Sequence, residues 1–70
     1  MTVGQLTTRQ KEVLKVIGRL LKRHGFPPTV AEIARELKIS TNGAHDHLLA
    51  MKRVGAVDWT PRKARTLRIL

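Results

Sequence analysis

Seventy residues can enclose one hydrophobic core and no second one, so residues 1–70 are read as a single domain. The absence of cysteine excludes disulfides and thiolate metal sites, and apolar runs as short as Val16-Ile17 exclude a membrane span, which needs about twenty residues. Lysine and arginine number 14 against 5 aspartates and glutamates, and the resulting charge of +9 draws polyanions, nucleic acid first among them. Phe26 and Trp59 are the chain's aromatic complement, with no tyrosine, too few rings for the base-stacking platforms of RNA-recognition sheets or single-strand barrels. Double-stranded DNA is therefore the expected partner. The polar stretch Met1 to Glu12 is unlike a secretory signal, and a cytoplasmic location is expected.

In chain order, Thr7 and Gln10 form a capping box that opens a first helix, followed by Val13, Leu14, Ile17, Leu20 and Leu21 at helical spacing. Lys11, Lys15, Arg19 and Lys22 fall on its other side. Gly25 and Pro27-Pro28 end it near His24. Thr29 and Glu32 make a second capping box, and the short helix that follows turns Val30, Ile33, Ala34 and Leu37 inward. Lys38-Ile39-Ser40 is a turn. Ser40 caps a third helix running to about Val54, with Ala44, His47, Leu48 and Met51 on one side and Asn42, His45, Asp46, Leu49 and Arg53 on the other. Beyond Gly55 the apolar period becomes two: Ala56–Trp59 and Arg65–Leu70 read as strands joined by a turn containing Pro61, Arg62 and Lys63. The expected fold is mainly α with a small β-hairpin, a winged helix-turn-helix of three helices and a two-stranded wing. Its helix-turn-helix spans about 29–54 and its wing about 56–70.

The turn between the second and third helices carries the main motif. Ala34 is small where the two helices nearly touch, and Ile39 anchors the turn, although Lys38 stands where glycine is often found. A helix entering the major groove exposes hydrogen-bonding side chains in its first two turns, and here those are Asn42, His45 and Asp46. Asparagine can bridge adenine N6 and N7, and aspartate can accept from cytosine N4. Asp46 equally suits the positive end of the helix dipole. Thr41 and Gly43 are small enough to let the helix approach closely, Leu49 can touch a thymine methyl, and Ser40, Thr41 and Gly43 are counted with Asn42, His45, Asp46 and Leu49 as the base-reading set. Lys52, Arg53, Arg62, Lys63 and Arg65 are expected to hold the DNA backbone, the last three from the wing. Lys11, Lys15 and Lys22 read as a solvated face.

Several of these residues also sit in a recognisable pattern. Leu6-Thr7-x-Arg9-Gln10-x-Glu12-Val13-Leu14-x-x-Ile17, then Gly25-Phe26-Pro27-Pro28-Thr29-x-x-Glu32-Ile33-Ala34-x-x-Leu37, resemble the DNA-binding domain of the LexA repressors. The likeness continues through Ser40-x-Asn42-x-Ala44-x-x-His47-Leu48 and Gly55 to Arg65-x-Leu67-Arg68-x-Leu70, so it runs over essentially the whole chain. It implies a winged helix whose third helix reads an operator half-site, at positions matching Ser40, Asn42, Gly43, His45 and Asp46, while the wing rests on the backbone. Ser40 and Asn42 match the family's residue types; His45 and Asp46 stand where the family commonly has glutamates, and Gly43 where it often has alanine. The family's self-cleaving serine-lysine domain has no counterpart here, since Ser40, the chain's one serine, is a helix cap. The resulting expectation is a stand-alone transcriptional regulator of a bacterium or phage rather than an excised fragment. It is expected to be a repressor acting in the cytoplasm and pairing as two copies on a palindromic operator.

No enzyme and no cofactor is expected, because neither a nucleophile triad nor a carboxylate pair is apparent. No metal is expected at His45-x-His47 either, as residues two apart on a helix face different ways. The rival reading, from another class, is a winged-helix interaction module that holds a polymerase subunit or another regulator through Leu49.

Overall fold

Every helix of the computed structural model, which describes residues 6–70, begins on a hydroxyl group. Thr7 accepts the Gln10 N–H at 3.1 Å while Gln10 Oε1 accepts the Thr7 N–H at 3.0 Å, and α1 (Thr8–His24) starts there. Thr29 and Glu32 repeat the exchange at 3.2 and 2.8 Å at the head of α2 (Val30–Leu37). Ser40 Oγ accepts the Gly43 N–H at 3.0 Å and opens α3 (Thr41–Arg53). Each such cap satisfies an amide that has no partner within the helix and contributes about 1 kcal/mol relative to alanine.

The helix ends are equally local in origin. Gly25 closes α1 in the left-handed conformation at φ 77°, its N–H donating to the Leu21 carbonyl at 2.8 Å. Lys38 does the same for α2 at φ 57°, and the Ile39 N–H reaches back to the Ala34 carbonyl at 3.0 Å. That bond draws Ile39 against the core and sets the tight turn into α3.

Among the described residues, thirteen are buried in one cluster: Leu6, four from α1 (Val13, Val16, Ile17, Leu20), two from α2 (Ile33, Ala34) and three from α3 (Ala44, Leu48, Met51), with Ala56, Val57 and Leu67 from beyond the helices. Ala34 packs at the α2–α3 corner as its size requires. On α1 the sequence reading needs one correction: Leu21 is 41% exposed, and Val16, not singled out, is buried at 3%. The two residues flank the Val13–Ile17–Leu20 stripe on opposite edges, and the Val16 edge is the one turned into the core.

The wing departs further from expectation. Its strands are only β1 (Val57–Asp58) and β2 (Arg68–Ile69), antiparallel, with Val57 opposite Ile69 and Asp58 opposite Arg68. The longer strands read over Ala56–Trp59 and Arg65–Leu70 do not form. Trp59 gives its N–H to the Asp58 carboxylate at 2.9 Å, which removes it from a ladder. The segment between the strands is organised instead by Thr66, whose hydroxyl accepts the Thr60 N–H at 2.9 Å and donates towards the carbonyls of Lys63 and Thr60. One further bond, Leu70 N–H to the Ala56 carbonyl at 3.0 Å, extends the pairing at the open end. The three-helix, two-strand architecture is that of a winged helix-turn-helix.

Candidate nucleic-acid interface

The outward side of α3 presents Thr41, Asn42, His45, Asp46, Leu49 and Arg53, all exposed, while Ala44, Leu48 and Met51 lock the opposite side into the core. A helix held this way cannot rotate to hide its polar face. Ser40 uses its Oγ as an acceptor in the cap, which leaves its O–H free to donate outward. Gly43 spends its N–H in the same cap. A Cβ at this position would come within 3.2 Å of Ser40 Oγ, so the glycine keeps the start of the helix slim.

Beside the shared core, the wing meets the exposed part of this helix through Trp59. The Trp59 indole lies 6.3 Å from the His45 ring, tilted by 52°, and Lys52 Nζ sits 4.5 Å over the same indole. Pro28, Val30, Leu48, Trp59 and Leu67 floor a groove of about 340 Å³ between the head of α2, α3 and the wing, with His45 and Lys63 at its rim. Thr60, Pro61, Arg62 and Lys63 form the tip, closed by a bond from the Lys63 N–H to the Thr60 carbonyl at 3.2 Å. Pro61 and a positive φ of 66° at Arg62 are the pattern of a type II turn, whose third position favours glycine.

Ion pairing divides the charges into two sets. Glu12 holds Arg9 at 3.3 Å, Glu36 holds Arg23 at 3.5 Å and Arg19 at 3.9 Å, and Asp58 holds Arg68 at 2.8 Å and Lys52 at 3.6 Å. Glu32 takes Arg65 in a two-pronged pair at 3.0 and 3.2 Å. The Arg65 guanidinium, with the Thr29 N–H helping, lowers the Glu32 carboxyl from its ordinary 4.5 to about 2. The Trp59 N–H, followed by Arg68 and Lys52, lowers Asp58.

Of the five residues read as backbone contacts, Lys52 and Arg65 are therefore engaged inside the molecule. Arg53, Arg62 and Lys63 have no carboxylate partner among the described residues. The same accounting isolates Asp46, which is the one side-chain carboxylate without an ion pair among the described residues. It lies in the second turn of α3, beyond the first turn over which the helix dipole acts appreciably.

Sequence reasoning missed the roles of Glu32 and Trp59. Glu32 carried a sufficient local explanation as a cap, and its second partner lies 33 residues away. For Trp59, the isolated indole in a +9 chain was the available signal.

A protein-family model, the LexA DNA binding domain, matches residues 3–66. The chain belongs to this family. The LexA repressor of Pseudomonas aeruginosa is 53% identical over 66 residues, which make up 93% of this chain and 32% of that repressor. LexA repressor 1 of Pseudomonas putida is 52% identical and the LexA repressor of Pseudomonas chlororaphis 50% identical over the same length. The chain thus spans about a third of the length of these LexA relatives. The matched segment contains all of α1, α2, α3 and β1 together with the wing tip.

Proposed function

We propose that this chain is the sequence-specific, duplex-DNA-reading part of a transcriptional repressor, with α3 in the major groove and the wing on the adjoining backbone. Asn42, His45 and Asp46 read base edges, and Leu49 meets a thymine methyl. Ser40, Thr41 and Gly43 allow close approach. Arg53, Arg62 and Lys63 neutralise phosphates. The observation that carries the reading is the unpaired carboxylate of Asp46 on the exposed face of α3 in a molecule of charge +9. A purely electrostatic DNA-binding face would exclude it, whereas a cytosine amino group supplies the donor it lacks. The Pseudomonas relatives' names support repression as the outcome.

A single copy covers one half-site, and two copies on a palindrome provide useful affinity. Selection of bound duplexes from a random pool tests this directly. A recovered motif with a C·G pair that Asp46→Ala no longer discriminates supports it. Recovery without sequence preference refutes base reading and leaves the interaction-module alternative. Sedimentation showing a tight dimer without DNA would refute the single-copy half-site.

A further inference from the structure

Arg65 sits where an ordinary phosphate-binding wing residue would be, yet three separate groups occupy it. Its guanidinium forks onto both oxygens of Glu32, donates to the Pro27 carbonyl at 3.3 Å and lies 4.7 Å over the Phe26 ring. All three belong to the α1–α2 connection and the first turn of α2. They are 33 to 39 positions away in sequence, with most of α2 and all of α3 lying between them and the wing along the chain. To make these contacts Arg65 adopts φ 59°, a backbone conformation that a non-glycine residue keeps only when its surroundings enforce it. The wing's own ladder is only two residues long on each side, and while Val57, Leu67 and Trp59 seat its base against the core and α3, the Arg65 contacts are the ones that tie it to the head of α2.

We propose that Arg65 is a positioning residue for DNA recognition: with Glu32 and Phe26 it latches the wing to the head of α2 and thereby sets where Arg62 and Lys63 fall relative to α3. This rests on the DNA-reading assignment above and deepens it by moving Arg65 from the set of phosphate ligands to the set that aims them. The latch uses a residue that already does one job. Glu32 Oε1 accepts the Thr29 N–H at 2.8 Å and the Arg65 guanidinium at 3.0 Å, so the helix start and the wing share one oxygen. A planar fork suits this site better than an ammonium, which lacks the two parallel N–H groups that meet the two carboxylate oxygens in register.

The test uses the chain and a duplex that it selects from a random pool. Glu32→Gln keeps an oxygen for the Thr29 N–H but removes the negative half of the latch. Glu12→Gln makes the same charge change on α1 and serves as control. Electrostatics alone makes both variants bind DNA more tightly. The latch makes Glu32→Gln bind about tenfold more weakly while Glu12→Gln does not.

The slope of log affinity against log salt should stay as in the parent, since no phosphate contact is deleted, and hydroxyl-radical protection under the wing should blur while that under α3 stays sharp. Arg65→Lys, which keeps the charge and loses the fork, should behave as Glu32→Gln does; if Glu32→Gln fails to fold, it carries the test alone. Tighter binding by Glu32→Gln, or Arg65→Lys with parental affinity and footprint, overturns the proposal and makes Arg65 a phosphate ligand. So does an Arg65→Gln slope shallower by about 0.9. If the parent chain selects no duplex at all, the DNA-reading assignment itself falls, and the latch falls with it.

Discussion

The helix-turn-helix and the wing of this molecule are held by different forces. Between α1, α2 and α3 the contacts are apolar: Ile17, Ile33, Leu48 and Met51 are almost wholly removed from water, and ion pairs stay at the surface. The wing contributes Val57 and Leu67 to that core but takes its shape from polar groups. These are the Thr66 hydroxyl, the Asp58–Arg68 pair across the ladder and the Arg65 fork onto Glu32. A helix that must present a fixed edge to base pairs benefits from apolar close packing, which admits few alternatives. A segment that meets the regular backbone can be held by directional but salt- and acid-sensitive bonds.

Removing a core side chain should show the contrast most strongly. Leu48→Ala, on the buried side of α3, is expected to cost about 2–5 kcal/mol in urea unfolding, a large share of the stability of a domain this small. Leu67→Ala should cost less and leave the helical circular dichroism intact, because it undocks the wing alone. Equal losses, with helix content falling in both, would mean that the wing is part of one cooperative core and that the division is false.

The next effect in size belongs to recognition. Asn42→Ala removes no buried group, so thermal stability should stay within about 0.5 kcal/mol of the parent. Its affinity for a selected duplex should fall by about 1–3 kcal/mol, with discrimination lost at one base pair. By contrast, Lys63→Ala should weaken every duplex alike and reduce the salt slope by about 0.9. A base-specific loss at Lys63 would place the wing tip among the readers.

Acid separates the two regions without mutation. Glu32 is lowered from 4.5 to about 2 in the folded chain and Asp58 is lowered too, so both stabilise the fold above their unfolded values. That contribution is lost progressively as pH falls from about 4.5 towards 2. Trp59 fluorescence should therefore report wing release in this window, ahead of the loss of helical signal. Coincident transitions would contradict the ionic character assigned to the wing.

What the sequence disclosed follows the same division. Thr7 with Gln10, Thr29 with Glu32, Ser40 and Gly25 act within four residues of their partners, so local pattern located every helix of the fold. The exposed set Asn42, His45, Asp46, Leu49 and Arg53 followed from spacing alone. Arg65 and Lys52 looked like free cations because their partners, Glu32 and the Asp58–Trp59 pair, are defined by tertiary placement. The strands were read too long for a related reason: alternation of apolar residues marks a surface to be buried, and it does not show that the Trp59 N–H prefers the Asp58 carboxylate to a ladder. Leu21 and Val16 were equally good candidates until the neighbouring helices chose an edge.

The smallest effect concerns the wing tip, where stability and function should move in opposite directions. Arg62 holds φ 66° at the third position of the Thr60–Lys63 turn, a site that glycine occupies without steric cost. Lys38 provides the internal reference, being another non-glycine residue of positive φ, at 57°, in the turn before α3. Both Arg62→Gly and Lys38→Gly should relieve local strain, offset in part by the greater freedom of glycine in the unfolded chain, for a net gain of at most about 1 kcal/mol. Their DNA affinities should differ. If Arg62 is retained at a strained position because its guanidinium meets a phosphate, Arg62→Gly should reduce the salt slope by about 0.9 while melting slightly higher. Lys38→Gly should melt higher by a similar margin, with a slope that shows whether the helix-turn-helix corner also faces the backbone. A glycine at 62 that leaves both slope and affinity untouched would sever strain from function at the tip and leave Lys63 as the cation there that meets DNA.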